Sequence, residues 1–385
     1  MNRVVLFRTT ARILMGPGSV KQLGQEVSLL KGKKVLIVTD QGIIQAGILK
    51  PAQEALEKAG IQYQVFDGVE PDPRYEIVLK CANVLANENA DLVVGFGGGS
   101  PIDIAKTVAV MATNDGPITR YFGIDLIPKA GLPTIMVPTT AGTGSEVTPI
   151  AILSDEGEKL KKGIVSSYLF PSVALLDPEL TLDLPPQITA ATGMDALIHA
   201  IEAYTSVNAT DITDMLAFQA MEILYHAIRT AYANGQNLEA RSKMMEGSLL
   251  AGMAFANAGV AAVHAFAYPI GAEFHIPHGV ANTLMLPHVM RFNLMGDVEK
   301  FGDMAEAFGF ATEHLDDLTA AETTVEAIER LAEDLRVPKH LAEFGIKESH
   351  LPSLAEGVMK VTRLLGNNPR TIILEDAIQI YKSAL

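Results

Sequence analysis

The sequence predicts an α/β N-terminal domain built on a parallel sheet, followed by an all-α C-terminal domain. Three observations carry this. Up to about residue 184, short β-branched runs alternate with helical stretches, the pattern of strands joined by helical crossovers. The strand runs are continuously apolar, as in a sheet covered on both faces. Past Leu184-Pro-Pro186 the chain shows long helical periodicities and almost no strand signal. The expected domains are therefore 1–184 and 185–385.

Taken in order, residues 35–39 (Val-Leu-Ile-Val-Thr) read as a buried strand that ends at Asp40. A helix is expected around 52–59, a strand at 62–66, a helix over 76–87 and a strand at 92–95. Residues 134–137 form a further strand before Pro138. In the second half, Gly193 to Tyr204 is an amphipathic helix, and Gly247 to Ala272 carries no Asp, Glu, Lys or Arg. Asn257, His264 and Pro269 within that stretch argue against a membrane span, so it reads as two buried helices beside a site. Over 322–335, Val325, Ile328, Leu331 and Leu335 fall at helical spacing.

Composition excludes several functions. The chain has 385 residues, 48% hydrophobic and 19% charged, enough for two packed cores and unlike a disordered chain. Its net charge of −15 lacks basic runs, so neither nucleic acid nor an anionic membrane is an expected partner. Cys81 is the single cysteine, at a helix position that points inward; it reads as a core thiol. No intrachain disulfide can form, and the start Met1-Asn-Arg-Val-Val-Leu-Phe-Arg lacks a signal-peptide core, so a cytoplasmic location is expected.

Two loops carry phosphate-binding signals. Residues 95–106 (Gly-Phe-Gly-Gly-Gly-Ser-Pro-Ile-Asp-Ile-Ala-Lys) join a strand to a helix. Gly97, Gly98 and Gly99 let the backbone approach a pyrophosphate, and the helix start offers free N–H groups. Ser100 is placed to cap that helix or to donate to a phosphate oxygen, and Pro101 suits a first helical turn. The second loop, Pro138-Thr-Thr-Ala-Gly-Thr-Gly-Ser-Glu146, also follows a strand and is crowded with hydroxyls. Two such loops after two parallel strands suggest one shared crevice for a dinucleotide. Asp40 closes its strand, where a carboxylate can accept from a ribose diol; a solvated turn is the plainer alternative. It precedes Gly97 by 57 positions, the reverse of the usual Rossmann order, which indicates a different nucleotide-binding fold.

A metal constellation follows. Asp195 and His199 lie four residues apart on one helical face. Glu202 continues that face, where it could stand behind the ligands, although an exposed position is the expected one. His264 sits in a nearly charge-free segment, where a buried imidazole needs a partner, and His275 and His278 flank Ile-Pro. Four of nine histidines thus gather near one Asp-His pair. Three imidazoles and a carboxylate suit Fe²⁺ or Zn²⁺.

These residues resemble the iron-containing (group III) alcohol dehydrogenases over nearly the whole chain. The resemblance runs through Phe7-Arg8, Gly16-Pro-Gly18, Gly97 to Asp103, Pro138 to Glu146, Gly193 to Glu202, His264 to Gly279 and Gly366-Asn-Asn-Pro-Arg370. It implies an NAD(P) site in the α/β domain, with Asp40, Gly97 to Ser100, Asp103, Thr139, Thr140, Thr143 and Lys162 near it, and the Asp40 carboxylate beside the ribose sets an expected preference for NAD. It implies a catalytic metal, Fe²⁺ or Zn²⁺, on Asp195, His199, His264 and His278, and a homodimer or higher homo-oligomer. The expected reaction is hydride transfer between a primary alcohol or aldehyde and nicotinamide. Many members carry a histidine one turn after the third ligand; here that position is Tyr268. Proton release is therefore expected through Tyr268, the ribose hydroxyls or His275. Two rivals stand beside this: a dehydroquinate-synthase-like lyase using metal and NAD, and a non-catalytic binding protein. The apolar neighbourhood of Phe255, Phe266 and Tyr268 argues against the first, and the full ligand set against the second.

Overall fold

A computed structural model describes residues 4–157 and 160–385, with Leu160 described by its backbone alone. The first three residues of the expected start lie outside this range. The chain forms two compact units, Thr9–Asp183 and Leu184–Leu385, and the described residues 4–8 group with the second. The sequence reading had left those residues in the first domain. Arg8 N donates to Asn257 Oδ1, and Asn257 Nδ2 donates back to Arg8 O, which fixes them to a helix of the second unit.

Among its described residues the first unit contains nine strands: β1 (Ile13–Met15), β2 (Lys34–Asp40), β3 (Gln62–Val69), β4 (Leu92–Gly97), β5 (Gly123–Ile124), β6 (Thr134–Pro138), β7 (Ile150–Asp155), β8 (Leu160–Val165) and β9 (Val173–Leu176). Six of them build one sheet in the order β1-β9-β6-β4-β2-β3, every neighbouring pair parallel. Consecutive residues feed opposite faces, so both faces are apolar. Leu36, Val38 and Val93 enter one core with Cys81; Val35, Ile37, Leu92 and Val94 enter the other. Burial pushes the Cys81 thiol pKa up, consistent with an inert core residue.

Sequence reasoning missed β1, β9 and a small second sheet, β5-β8-β7, in which β7 and β8 run antiparallel. β1 has only three residues. Val173–Leu176 is too short for its periodicity to separate strand from helix. In β8, Lys161, Lys162 and Gly163 hide the alternation.

The second unit is helical. Pro186–Thr205, Asp211–Ala233 and Leu238–Ala258 pack together, and Ala262–Phe274 and His278–Asn293 close around the first of them. The expected helix near 322–335 spans Asp317–Asp334. Among the described residues no single helix is long and apolar enough to cross a membrane. The charge-free stretch is the expected pair of helices, bent by 101° at their junction and largely buried.

Candidate metal centre and nucleotide loops

β2 and β4 are sheet neighbours whose chains leave in opposite directions, β2 toward β3 and β4 toward β6. Such a reversal opens a crevice beyond the strand ends, where nucleotides bind in parallel sheets. Asp40 and Gly97 end these two strands, which is why the carboxylate can precede the glycines so far in sequence. Asp40 Oδ1 caps the helix Gln41–Gln45, accepting from Ile43 N at 3.0 Å. Its Oδ2 lies only 3.5 Å from where a Cβ on Gly97 would stand. Gly97 has φ +149°, and a Cβ there would also approach Pro101 Cγ to 2.7 Å, so a larger residue would be strained.

The helix Gly99–Met111 begins one residue before Ser100, with Gly98 as its N-cap and no side chain capping it. Ser100 is therefore a first-turn residue and not the cap. The uncapped positive end of this helix suits a phosphate. The two loops touch: Thr139 N donates to Gly97 O, Thr140 Oγ1 stands 3.7 Å from the Cβ position of Gly98, and Thr143 Cγ2 stands 2.9 Å from that of Gly99. Thr139 is buried, while Thr140 and Thr143 are half-buried.

Asp103 ties its helix to neighbouring elements. Its Oδ1 accepts from Ser145 Oγ and its Oδ2 from Ile152 N, with Lys106 Nζ at 3.4 Å. One carboxylate oxygen thus fastens the second loop and the other fastens β7. Lys106, fully buried, donates to Ser145 Oγ, Ser145 O and Ile150 O. Burial pulls its pKa down against the pull of Asp103. Glu146 is buried beside this network, and burial pushes its carboxyl up to about 7. Lys162 lies on β8, paired with Asp155 at 2.8 Å and 5.5 Å from the Phe122 ring centre.

In the second unit, Asp195 and His199 share the helix Pro186–Thr205, and His264 joins them from Ala262–Phe274; all three are buried. One ligand atom from each lies within 4.8 Å of the others. His278, first residue of His278–Asn293, brings Nε2 to 3.8 Å from Asp195 Oδ1, and His264 Nε2 stands at the same distance. Gly279 lets this helix start approach: a Cβ there would meet Ala191 O at 2.2 Å. His199 stacks between Phe255 and His264, at centroid distances of 4.3 and 4.9 Å. Burial pushes the Asp195 carboxyl up, but His199, His278, His264 and the Asn282 amide outweigh it and hold it below the ordinary range.

The donor set fits a metal ion. His264 Nε2 is buried and has no hydrogen-bond partner, a costly state for an imidazole nitrogen unless an ion accepts its lone pair. Two neighbours complete the cluster, Glu202, which the sequence placed on the ligand face, and Asn282, which it did not single out. Glu202 is 3% exposed, contrary to expectation, and bonds His264 Nδ1. The signal was its spacing, which continues the Asp195/His199 face inside a helix buried on every side. Asn282, one turn after His278, donates to Asp195 Oδ1 at 2.7 Å. Tyr268 is half-buried with its ring centre 6.1 Å from that of His278. His275 is exposed at the left-handed end of the same helix, φ +55°, and is not among the clustered ligands. The Gly366 to Arg370 motif is structural: Asn367 Nδ2 donates to Val260 O, and Asn368 exchanges bonds with Asn293.

Residues 10–178 match the profile of iron-containing alcohol dehydrogenases, and residues 189–385 match the C-terminal profile of the Fe-containing alcohol dehydrogenase family. A 1,3-propanediol dehydrogenase of Citrobacter freundii is 43% identical over 371 residues, 96% of each chain. The chain belongs to the iron-containing alcohol dehydrogenase family. A crystal structure of a 1,3-propanediol oxidoreductase superposes on this iron-containing alcohol dehydrogenase with a TM-score of 0.97 at 41% identity, covering 100% of both chains. A sulfoacetaldehyde reductase of Bifidobacterium kashiwanohense, solved in complex with NAD⁺, reaches 0.89 at 31% identity, covering 100% of this chain and 99% of its own. The enzyme is an NAD-dependent oxidoreductase of that family. Relatives named as dehydrogenases and reductases do not favour the lyase alternative.

Proposed function

We propose that the enzyme interconverts primary alcohols and aldehydes by hydride exchange with NAD(H), at a divalent metal held by Asp195, His199, His264 and His278. Fe²⁺ is the expected ion, and Zn²⁺ would accept the same ligands. The observation that carries this reading is the buried, unpartnered Nε2 of His264 facing Asp195 across a nest of imidazoles. When bound, the ion supplies Lewis acidity that stabilises negative charge on the substrate oxygen.

The chain's own residues do the rest. Asp195 brings one negative charge, so a divalent site keeps about one positive charge by formal counting. Phe255, stacked on His199, keeps water from that side of the cluster. In the first unit, Gly97, Gly98, Gly99 and Ser100 present backbone N–H groups to the pyrophosphate. Thr139, Thr140, Thr143 and Lys162 flank it, and Asp40 accepts from the adenosine ribose. Tyr268 is the stronger candidate for moving the substrate proton, since His275 is exposed and outside the cluster. Relatives named for 1,3-propanediol, lactaldehyde and long-chain alcohols support a primary alcohol or aldehyde as substrate class.

The test is metal removal. Chelated enzyme should lose NADH formation across a panel of primary alcohols and keep its affinity for NAD. Fe²⁺ should restore the rate, and His264→Ala should lose metal and turnover together. Full activity in demonstrably metal-free protein would end this reading. Tyr268→Phe should change the pH–rate profile with metal content unaltered; an unchanged profile would make Tyr268 a pocket wall.

A further inference from the structure

The helix Pro186–Thr205 carries a second carboxylate three residues past His199. Glu202 has a side chain 4% exposed, with Oε2 2.5 Å from His264 Nδ1 and Oε1 accepting from Val263 N at 2.6 Å. A carboxylate offers no hydrogen of its own, so each partner must present one. His264 therefore carries a proton on Nδ1, and in the neutral imidazole Nε2 is then the bare lone pair. That is the atom buried without a partner and standing 3.8 Å from Asp195 Oδ1. The second contact is equally specific. Val263 lies in the first turn of Ala262–Phe274, where backbone N–H groups have no partner within the helix. Ala261, the N-cap, offers no side chain to satisfy them. One carboxylate thus caps the His264 helix from outside and sets the His264 ring.

We propose that Glu202 is the positioning residue of the metal site: it caps the His264 helix through Val263 N–H and locks His264 in the tautomer whose Nε2 can bind the ion. The inference rests on the reading that His264 is a ligand. It makes glutamine a severe substitution, although the two side chains have the same shape. An amide has one oxygen and two N–H donors. If that oxygen keeps Val263 N–H, the amide nitrogen faces Nδ1, which must then be bare. The imidazole proton moves to Nε2 and blocks the ligand atom. If the oxygen turns to His264, two donors confront each other at Val263 and the helix start must shift. Either arrangement weakens the site.

The experiment uses the full chain, stripped of metal and titrated with Zn²⁺ against a chromophoric chelator. Glu202→Gln should weaken Zn²⁺ binding by roughly 10–100-fold while NAD affinity holds. A second readout needs no variant. In zinc-loaded wild-type protein labelled with ¹⁵N-histidine, His264 should show a protonated Nδ1 and a metal-shifted Nε2, a signature that plain packing would not dictate. Wild-type affinity in a folded Glu202→Gln protein overturns the inference, as does metal on Nδ1 of wild-type His264. If His264→Ala instead bound Zn²⁺ as tightly as wild type, the functional reading itself would fall.

Discussion

Asp40 shows how one side chain can serve two ends. Its Oδ1 caps a short helix while its Oδ2 faces the glycine turn, where a ribose would be read. A 2′-phosphate there would meet a like charge in a crevice screened less than bulk water. Asp40→Gly should raise the NADP/NAD ratio of kcat/KM by roughly tenfold or more, about 1.4 kcal/mol of relieved repulsion. Glycine is tolerated as a cap, so folding should change by only a few tenths of a kcal/mol. An unmoved ratio would show that Asp40 does not select the cofactor. At this scale the sequence exposed the ligand types well, because two glycine loops and an i, i+4 Asp-His pair are short-range patterns. It concealed the contacts of Asp103, Glu202 and Asn282. Their partners, Ser145, Val263 and Asp195, lie 42, 61 and 87 residues away, and such pairings exist only in the folded chain.

Two helices that carry proposed ligands approach closely at one glycine. Gly279 directly follows His278, a proposed ligand, and leaves no room for a side chain against Ala191 O. Gly279→Ala should push the start of His278–Asn293 away and carry His278 with it. The expected result is a loss of about 1–3 kcal/mol in stability, with weaker metal binding and unchanged NAD affinity. Calorimetry, metal titration and NAD titration together check it; unaltered metal affinity would show that the contact is slack. The strands at 35–39, 92–95 and 134–137 were legible because each is a buried, mostly apolar run bounded by turn residues, and the edge strand at 62–66 because polar and apolar residues alternate at its start. The hairpin β7-β8 was not, since a strand carrying Lys161, Lys162 and Gly163 lacks that signal.

Over the whole molecule, the two-unit division followed from the change in periodicity near residue 184. The return of residues 4–8 to the second unit did not, because it rests on two bonds to Asn257, 249 residues away. Stability should also carry the mark of Glu146. Folding raises its carboxyl pKa from 4.5 to about 7 by burial, so the folded chain keeps a proton that the unfolded chain releases. That contribution falls as pH rises from about 4.5 to 7 and stays down above it, by roughly 3 kcal/mol in all. Glu146→Gln should flatten the decline in melting temperature between pH 5 and 8; a profile parallel to wild type would show the group is not buried as described. The bent, charge-free helix pair has a consequence for biosynthesis. Its neighbours Pro186–Thr205 and Asp211–Ala233 precede it in the chain. Tyr381, however, whose hydroxyl bonds Phe266 O and whose ring packs on Phe266, follows 115 residues later. At about 5–20 residues per second the His264 helix stays half-covered on the ribosome for roughly 6–23 s. Through that interval the nascent chain offers its most apolar surface to chaperones, and expression yield should depend on them more than the mature enzyme's stability would suggest.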